Sequence, residues 1–323
     1  GEFAFAQSKD TAPEKTPAPT KPAAPKPTIA SIAKMKKIPA LVKSGEVRYS
    51  RDIVGMTDTD LEYVEQFTKK SMPLNTIQSV DFITDYDRYK VKVMERKKDY
   101  SEAATLTVQA LSDTIPYINL PENNIVDPLF DAGYLYLDAA SVYANIKSPQ
   151  YDKAKADKEY KNAYWVFKKI EKAKWYFGAK IAELNAILCQ IRLGELDSAV
   201  KNFSEVDEPA FGDAAFGVYW MIDAMIKFKQ SKLSEALDSA VKSIVFDTKK
   251  INTFPESLLL SGYCYEDMLD NYRARDVYFE AAKLFRDTPD GEIAFSSIQF
   301  IGGKKLTAVA EPAGLEKVFF NVV

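Results

Sequence analysis

The sequence predicts an all-α protein, an elongated α-solenoid of about five helical hairpins. Short polar turns are followed by a small residue, with two further packing positions four and seven residues later. The leading alanines are 53, 43, 37 and 38 residues apart, and a recurring period of this size is typical of stacked supersecondary units. Strand signals are few. The repeated sets are Ala103, Thr107, Ala110; Ala156, Tyr160, Ala163; Ala199, Phe203, Val206; Ala236, Ala240, Ser243; and Ala274, Tyr278, Ala281.

Apolar residues at helical spacing flank each turn, so we predict two antiparallel helices per unit. The turns are short and polar, as in Lys98-Asp99, Gly194-Glu195 and Asp270-Asn271. The predicted helix pairs are 76–97 with 100–113, 126–146 with 150–171, 175–193 with 195–207, 213–230 with 232–246, and 255–269 with 271–287.

The chain divides into four predicted segments. Residues 1–44 form a disordered basic tether rich in Pro and Lys, with one short helix near 29–38 that either docks on the first repeat or touches a membrane surface. Residues 45–75 form an N-terminal cap whose helix begins near Thr57 and stops at Pro73. Residues 76–287 hold the repeats, and 288–323 hold a capping helix and a tail.

The leader also predicts a location. Ala4-Phe-Ala6 has the small-x-small pattern of a signal-peptidase site, and a vector-derived scar is the alternative. Mixed Pro, Lys and Ala resembles the periplasm-spanning linkers of exported bacterial proteins. The sequence holds no run of 18 apolar residues, so we expect an exported cell-envelope protein without a transmembrane segment.

Composition excludes several kinds of chemistry. The chain has no His, which removes the commonest general base and metal ligand. Cys189 and Cys264 lie in apolar helical runs and read as buried thiols, with a disulfide between units as the alternative. There is no P-loop, GxGxxG, GxSxG or EF-hand motif, so we expect no enzymatic activity, no metal and no cofactor.

Charge argues against nucleic acid as a partner. Residues 7–44 carry eight Lys against Asp10 and Glu14, a charge of +6, so the total of −3 leaves about −9 for the rest of the chain. A dedicated nucleic-acid protein carries its basic residues on the folded domain.

At the level of single residues the repeats resemble the tetratricopeptide repeat family. Its pattern places Gly and then an aromatic residue on the first helix, followed by Ala, an aromatic residue and Ala on the second. The fifth unit matches best, with Gly262, Tyr265, Ala274, Tyr278 and Ala281. The resemblance implies a right-handed α-solenoid that binds its partner on a concave face formed mainly by the first helices.

Helical phase and exclusion from the packing positions select two candidates per unit on that face. Tyrosines with interspersed carboxylates suit peptide or glycan contacts. The candidates are Tyr86, Arg88, Tyr134, Asp138, Glu183, Gln190, Tyr219, Asp223, Tyr263 and Glu266.

These observations predict a non-enzymatic scaffold that binds a protein or peptide in its groove. The alternative is a carbohydrate-binding or glycoside-active helical protein, for which Asp81 and Asp85 offer a carboxylate pair at i, i+4 spacing. A third hypothesis is a structural subunit whose groove is filled by its own N-terminal segment or by another copy.

Overall fold

The computed structural model describes residues 28–146, 148–246 and 253–301, which form an antiparallel sheet followed by an array of helices. The short helix α1 (Ile29–Ala33) precedes the strands β1 (Ile38–Ser44), β2 (Val47–Met56), β3 (Asp60–Glu65), β4 (Thr68–Pro73) and β5 (Ser79–Phe82). The helices are α2 (Arg88–Arg96), α3 (Tyr100–Leu111), α4 (Val126–Ala144), α5 (Lys153–Ile170), α6 (Ala179–Arg192), α7 (Leu196–Ser204), α8 (Phe216–Lys229), α9 (Leu233–Phe246), α10 (Thr253–Asp267), α11 (Asn271–Leu284) and α12 (Pro289–Ile301).

The sheet shows that the all-α prediction is wrong. Its five antiparallel strands lie in the order β4-β3-β2-β1-β5, and β3 and β4 replace the helix predicted from Thr57. Leu61 and Tyr63 are both buried and stand two residues apart, which is the spacing of side chains on one face of a strand. The two-residue turn between β3 and β4 has Gln66 and Phe67 in left-handed backbone, without the Gly or Asn that ordinarily marks such a turn.

One face of the sheet packs on the start of the helical array. Ala40, Val42 and Val80 are fully buried, and they share one core with Leu111 of α3 and Leu129 of α4. The strands begin within the predicted tether and extend past the predicted cap. The apolar surface of the first helices is therefore covered by a sheet instead of a helical cap.

Four of the predicted hairpins coincide with the pairs α4 and α5, α6 and α7, α8 and α9, and α10 and α11. The first hairpin is shorter than predicted, because residues 79–82 pair with β1 and α2 begins only at Arg88. Asp87 caps that helix by accepting a hydrogen bond from the backbone N–H of Lys90, at 3.1 Å.

The same turn recurs between the helices of four hairpins. In each turn one residue has left-handed backbone, at Lys98, Gly194, Ser231 and Leu269. The next residue donates its backbone N–H to a carbonyl five residues earlier, as in Asp270 to Tyr265 at 2.9 Å, which is the bond of a Schellman motif. The left-handed residue always precedes the leading alanine of the repeat by five positions, so the internal repeat is present in the backbone as well as in the sequence.

Small residues let the paired helices approach closely. Ala103, Ala199, Ala236 and Ala274 have no exposed surface. A Cβ at Gly262 would lie 2.2 Å from the Tyr278 ring. Small residues at these positions therefore set the helix spacing.

The helical array closes on itself. The last described helix, α12, packs mainly on α11, and it also contacts α10 and α4. An exposed ion pair joins Glu292 of α12 to Lys98, which lies in the turn between α2 and α3. Helices from both ends of the described array therefore border its inner side.

The segment before the sheet is docked on the protein. Helix α1 contacts β4, Ile32 is buried, and Lys36 forms an ion pair with Asp113 after α3. The predicted tether at 8–27, the signal-peptidase pattern and the C-terminal tail lie outside the described residues. Within the described ranges, none of the helices has the length and apolar character needed to cross a membrane.

Asn124 joins the outer edge of the sheet to the helical array. Its side-chain Oδ1 accepts from the backbone N–H of Phe82 at 2.9 Å, and its Nδ2 donates to the carbonyl of the same residue at 3.0 Å. We expect Asn124→Ala to lower the free energy of unfolding by about 1–2 kcal/mol, because two half-buried backbone groups lose their partner. Urea unfolding measures the loss, and the exposed Asn271→Ala is the control. Equal stability of the two variants would contradict this role.

Candidate functional site

A cavity of about 300 Å³ lies inside the array and is named here the arginine cavity. It is bordered by α4, α5, α6, α8, α10 and α12. Its charged lining residues are Arg192, Lys229, Glu256 and Asp290. Apolar side chains such as Leu259 complete the wall, so this is a mixed polar and apolar site of the size of a few side chains.

Arg192 forms an ion pair with Glu256 across the array, from the last turn of α6 to the first turn of α10. Each charge suits its helix end, because the macrodipole favours a cation at the C-terminus and an anion at the N-terminus. The Arg192 side chain keeps 34% of its surface exposed, and it lines the cavity. Desolvation lowers the pKa of Arg192, but the charge and hydrogen bond of Glu256, together with Tyr160 and Tyr263, raise it overall, so the guanidinium stays charged.

Two tyrosines and one lysine surround this ion pair. Burial raises the pKa of Tyr160 and of Tyr263, so both phenols remain protonated donors at neutral pH. Burial and then the charge of Arg192 lower the pKa of Lys229. The arginine cavity therefore offers two tyrosine hydroxyls and one lysine as hydrogen-bond donors around the ion pair of Arg192 and Glu256.

A second cavity of about 650 Å³, named here the α2 cavity, adjoins the first, and Asp290 lines both. Its walls come from α2, α4, the loop before α2 and the start of α12. Tyrosines and carboxylates dominate its polar surface. The lining residues of these two kinds are Tyr86, Tyr100, Tyr134, Glu95, Asp131, Asp138, Asp287 and Asp290.

Asp138 and Asp290 are the carboxyls whose pKa values are raised most among the described residues. Among the described contacts, neither carboxylate takes part in a hydrogen bond or an ion pair. Burial, followed by the charges of Glu95 and Glu256, raises the pKa of Asp138 to about 7. Burial also raises the pKa of Asp290, with added repulsion from Glu256 and Asp138 and a smaller opposing effect of Arg192. Both carboxyls therefore keep a proton to higher pH than an exposed aspartate does.

The structure brings four of the sequence-predicted residues to this interior. Tyr86, Tyr134 and Asp138 line the α2 cavity, and Tyr263 lines the arginine cavity. Tyr134 also accepts a hydrogen bond from the Asn185 amide of α6, at 3.0 Å. These four residues therefore line the candidate cavities, and their role in binding stays a prediction.

Three other predicted residues join helices to each other. Gln190 is buried and accepts from Asn202 of α7 at 2.8 Å. Asp223 pairs with Lys227 at 2.6 Å and accepts from a serine of α9. Glu266 accepts from the Tyr278 hydroxyl at 2.8 Å. These side chains hold the hairpins together and do not line either cavity.

The remaining three predicted residues also lie away from the two cavities. Arg88 is exposed at the first position of α2. Glu183 is exposed near the loop that follows α7, and Tyr219 packs on Phe203 with ring centroids 4.7 Å apart. The carboxylate pair of the carbohydrate hypothesis is separated as well, because Asp81 lies on β5 and Asp85 lies in the loop before α2.

Sequence reasoning missed Arg192, Glu256 and Asp290. Each is a charged residue beside apolar neighbours at a helix end: Ile191 and Leu193, Pro255, and Pro289. That setting resembles an ordinary helix terminus, so the sequence offers only a weak signal. The ion pair between Arg192 and Glu256 spans 64 residues of chain and becomes visible only in the folded array.

The described residues include neither a cluster of metal-ligating side chains nor a disulfide. In the part of the chain that the structure describes, no group of three or more Cys, Asp and Glu side chains is placed to hold a metal ion. Cys189 and Cys264 are free and buried, so the alternative of a disulfide is wrong. Burial raises the pKa of both thiols, that of Cys264 to about 12.

Comparison with known proteins adds no family assignment. No protein-family model matches the chain, and no curated protein is significantly similar to it in sequence.

Proposed function

We propose that this protein is a non-enzymatic binding protein that takes an extended peptide segment of a partner protein into the interior of its helical array. The single observation that carries the proposal is the pair of adjoining cavities, which share Asp290 and have Asp138 in the wall of the larger one. The predicted export to the cell envelope depends on residues outside the described ranges and remains a prediction.

The dimensions of the interior suit a chain segment. The α2 cavity and the arginine cavity together have a volume near that of a typical small-ligand site, and they follow one another along the array. Tyr86, Tyr100 and Tyr134 each combine an apolar ring face with a polar hydroxyl, and such side chains are suited to contacts with a peptide. A tetratricopeptide-like array would present such a segment to its first helices.

The charges favour a positively charged residue in that segment. Lys92 is paired with Glu95 at 2.6 Å, and Lys98 is paired with Glu292, which leaves Arg96 as the other lining cation of the α2 cavity. Asp131, Asp138 and Asp290 line the same cavity, and none of them forms an ion pair among the described contacts. A Lys or Arg side chain of the partner would neutralise carboxylates that the protein leaves unpaired.

A glycan is the second candidate, and the raised pKa of Asp138 favours it. A carboxyl with a pKa of about 7 can donate a proton at neutral pH, while Glu256 forms an ion pair with Arg192. Such a division between two carboxyls occurs in glycoside hydrolases. If this chain hydrolyses an oligosaccharide, the peptide-binding proposal is wrong and glycoside hydrolysis takes its place.

Selection from a displayed peptide library on the full chain tests the proposal. We expect enriched peptides that contain Lys or Arg among apolar residues. Their affinity should fall at least about tenfold for Asp138→Asn, because one charge contact in a partly dry site contributes about 1.4 kcal/mol or more.

Two controls define the result. Asp276→Asn changes an exposed carboxylate on α11 and should bind the peptides as the wild type does. An oligosaccharide array is probed in parallel. Enrichment of glycans only, or of peptides that bind Asp138→Asn with unchanged affinity, would contradict the peptide proposal.

A further inference from the structure

The contact between α12 and α4 brings together carboxylates from distant parts of the chain. Asp290 lies in the first turn of α12 and Asp138 lies on α4, and both line the α2 cavity. Glu256 of α10 lines the arginine cavity together with Asp290. These three carboxylates meet where the array closes.

We propose that the contact between α12 and α4 is a pH-sensitive latch, closed while Asp138 or Asp290 is protonated and released when both are ionised. The proposal rests on the proposed function in one respect, since release would widen the entrance to the same interior. The latch itself is a property of the free protein.

The groups that face the two carboxyls are mostly of the same sign. Asp290 faces Glu256 of α10, Asp138 of α4 and the cation Arg192 of α6. Asp138 faces Glu95 of α2, together with Glu256. Arg192 is already engaged by Glu256, and the lining cations Lys92 and Lys98 are engaged by Glu95 and Glu292. Arg96 and Lys229 are the lining cations without an ion pair among the described contacts. Ionising both aspartates still adds two like charges beside Glu95 and Glu256 in a partly desolvated site. Like charges in such a site repel by several times the energy they have in water.

The direction of the pH effect follows from the raised pKa values. An exposed aspartate has a pKa near 3.8, and in the closed array the pKa of Asp138 is about 7. The closed state therefore binds more protons than the open state between these values. Below about pH 4 the equilibrium between closed and open molecules does not depend on pH. It shifts toward the open state as the pH rises from about 4 to about 7, and above this window it shifts no further. Each unit of difference corresponds to about a tenfold change in the ratio of closed to open molecules.

Little else holds the latch against this repulsion. The ion pair between Lys98 and Glu292 is exposed at both side chains, and such pairs contribute little. The more extensive packing of α12 is on α11. We therefore expect α12 to stay folded on α11, and the two helices to move together away from α4.

Spin labels on the full chain test the latch without any ligand. Lys97→Cys at the end of α2 and Gln299→Cys on α12 provide exposed labelling sites, while Cys189 and Cys264 are buried. A sample without the introduced cysteines measures background labelling. Pulsed dipolar spectroscopy should give one short distance at pH 5 and an additional longer distance at pH 8.5. The ratio of closed to open molecules should fall at least about tenfold between the two.

Two substitutions in the labelled chain identify the groups responsible. Asp290→Asn should keep the short distance at pH 8.5, with Asp138→Asn as the second variant of the same kind. Asp276→Asn, an exposed carboxylate on α11, should behave as the unsubstituted chain does. Identical distances at pH 5 and pH 8.5 in the unsubstituted chain would overturn the latch, and so would an unchanged response of both aspartate variants. Peptide binding is not part of the measurement, so failure of the latch and failure of the proposed function remain distinguishable.

Discussion

Arg192→Met should be the most damaging substitution at the interior, with a loss of about 3 kcal/mol of unfolding free energy. Removing the guanidinium leaves Glu256 without its partner, in the same cavity as Asp290. Breaking a buried ion pair from one side costs about 3–5 kcal/mol, and the partial exposure of Arg192 places the expectation at the lower end. Urea unfolding at pH 7.5, followed by far-UV circular dichroism, gives the value.

The double variant Arg192→Met with Glu256→Met is the matched control. It removes both charges and leaves apolar side chains of similar length, so it should recover a substantial part of the lost stability. If the double variant is no more stable than Arg192→Met, the loss comes from packing of the arginine side chain and not from the stranded carboxylate.

Gly262→Val should destabilise the last hairpin by about 3 kcal/mol. The added Cβ would lie 2.2 Å from Cε1 of Tyr278, whose side chain is fully buried and donates a hydrogen bond to Glu266. Because the ring is fixed at both ends, α10 and α11 must separate, and overpacking of this kind costs about 1–3 kcal/mol. We expect the upper end of this range, because the better helix propensity of valine than of glycine offsets only a few tenths of a kcal/mol. Thermal unfolding and hydrogen exchange in α11 measure the effect.

Asp267→Val controls for helix propensity, because it places valine at an exposed position of the same helix. Combining Gly262→Val with Tyr278→Leu should cost less than the sum of the single changes, since the smaller side chain vacates the contested space. Strict additivity would show that Gly262 is not constrained by that ring.

The helical part of the fold could be predicted because its packing depends on local features. A small residue at a fixed distance from a short polar turn is visible in the sequence at Ala103, Ala199, Ala236 and Ala274. The sheet could not be predicted in the same way. Leu61 and Val64 fit a helical spacing as well as Leu61 and Tyr63 fit a strand, and the turn at Gln66 carries none of the usual residues.

Helical phase selected cavity-lining residues where a helix has a clear polar stripe. On α4, Tyr134 and Asp138 stand four residues apart among mostly apolar neighbours, and both line the α2 cavity. On α6, every residue from Leu184 to Ile191 is buried, so the hydrophobic pattern has no phase and gave Glu183 and Gln190 in place of Arg192. A helix that is buried on all sides has no amphipathic pattern, and the prediction of its cavity-lining face depends on that pattern.

The closure of the array brings parts of the chain that are distant in sequence into contact. Lys98 and Glu292 are 194 residues apart, whereas the extensive contacts of the helices are between neighbours in sequence. Once the hairpins have stacked, the two ends are held near each other by a stiff scaffold, so their effective concentration is set by the curvature of the array and not by the length of the intervening chain. A small change in the angle between any two hairpins therefore adds up along the array and shifts α12 relative to α4 and Lys98.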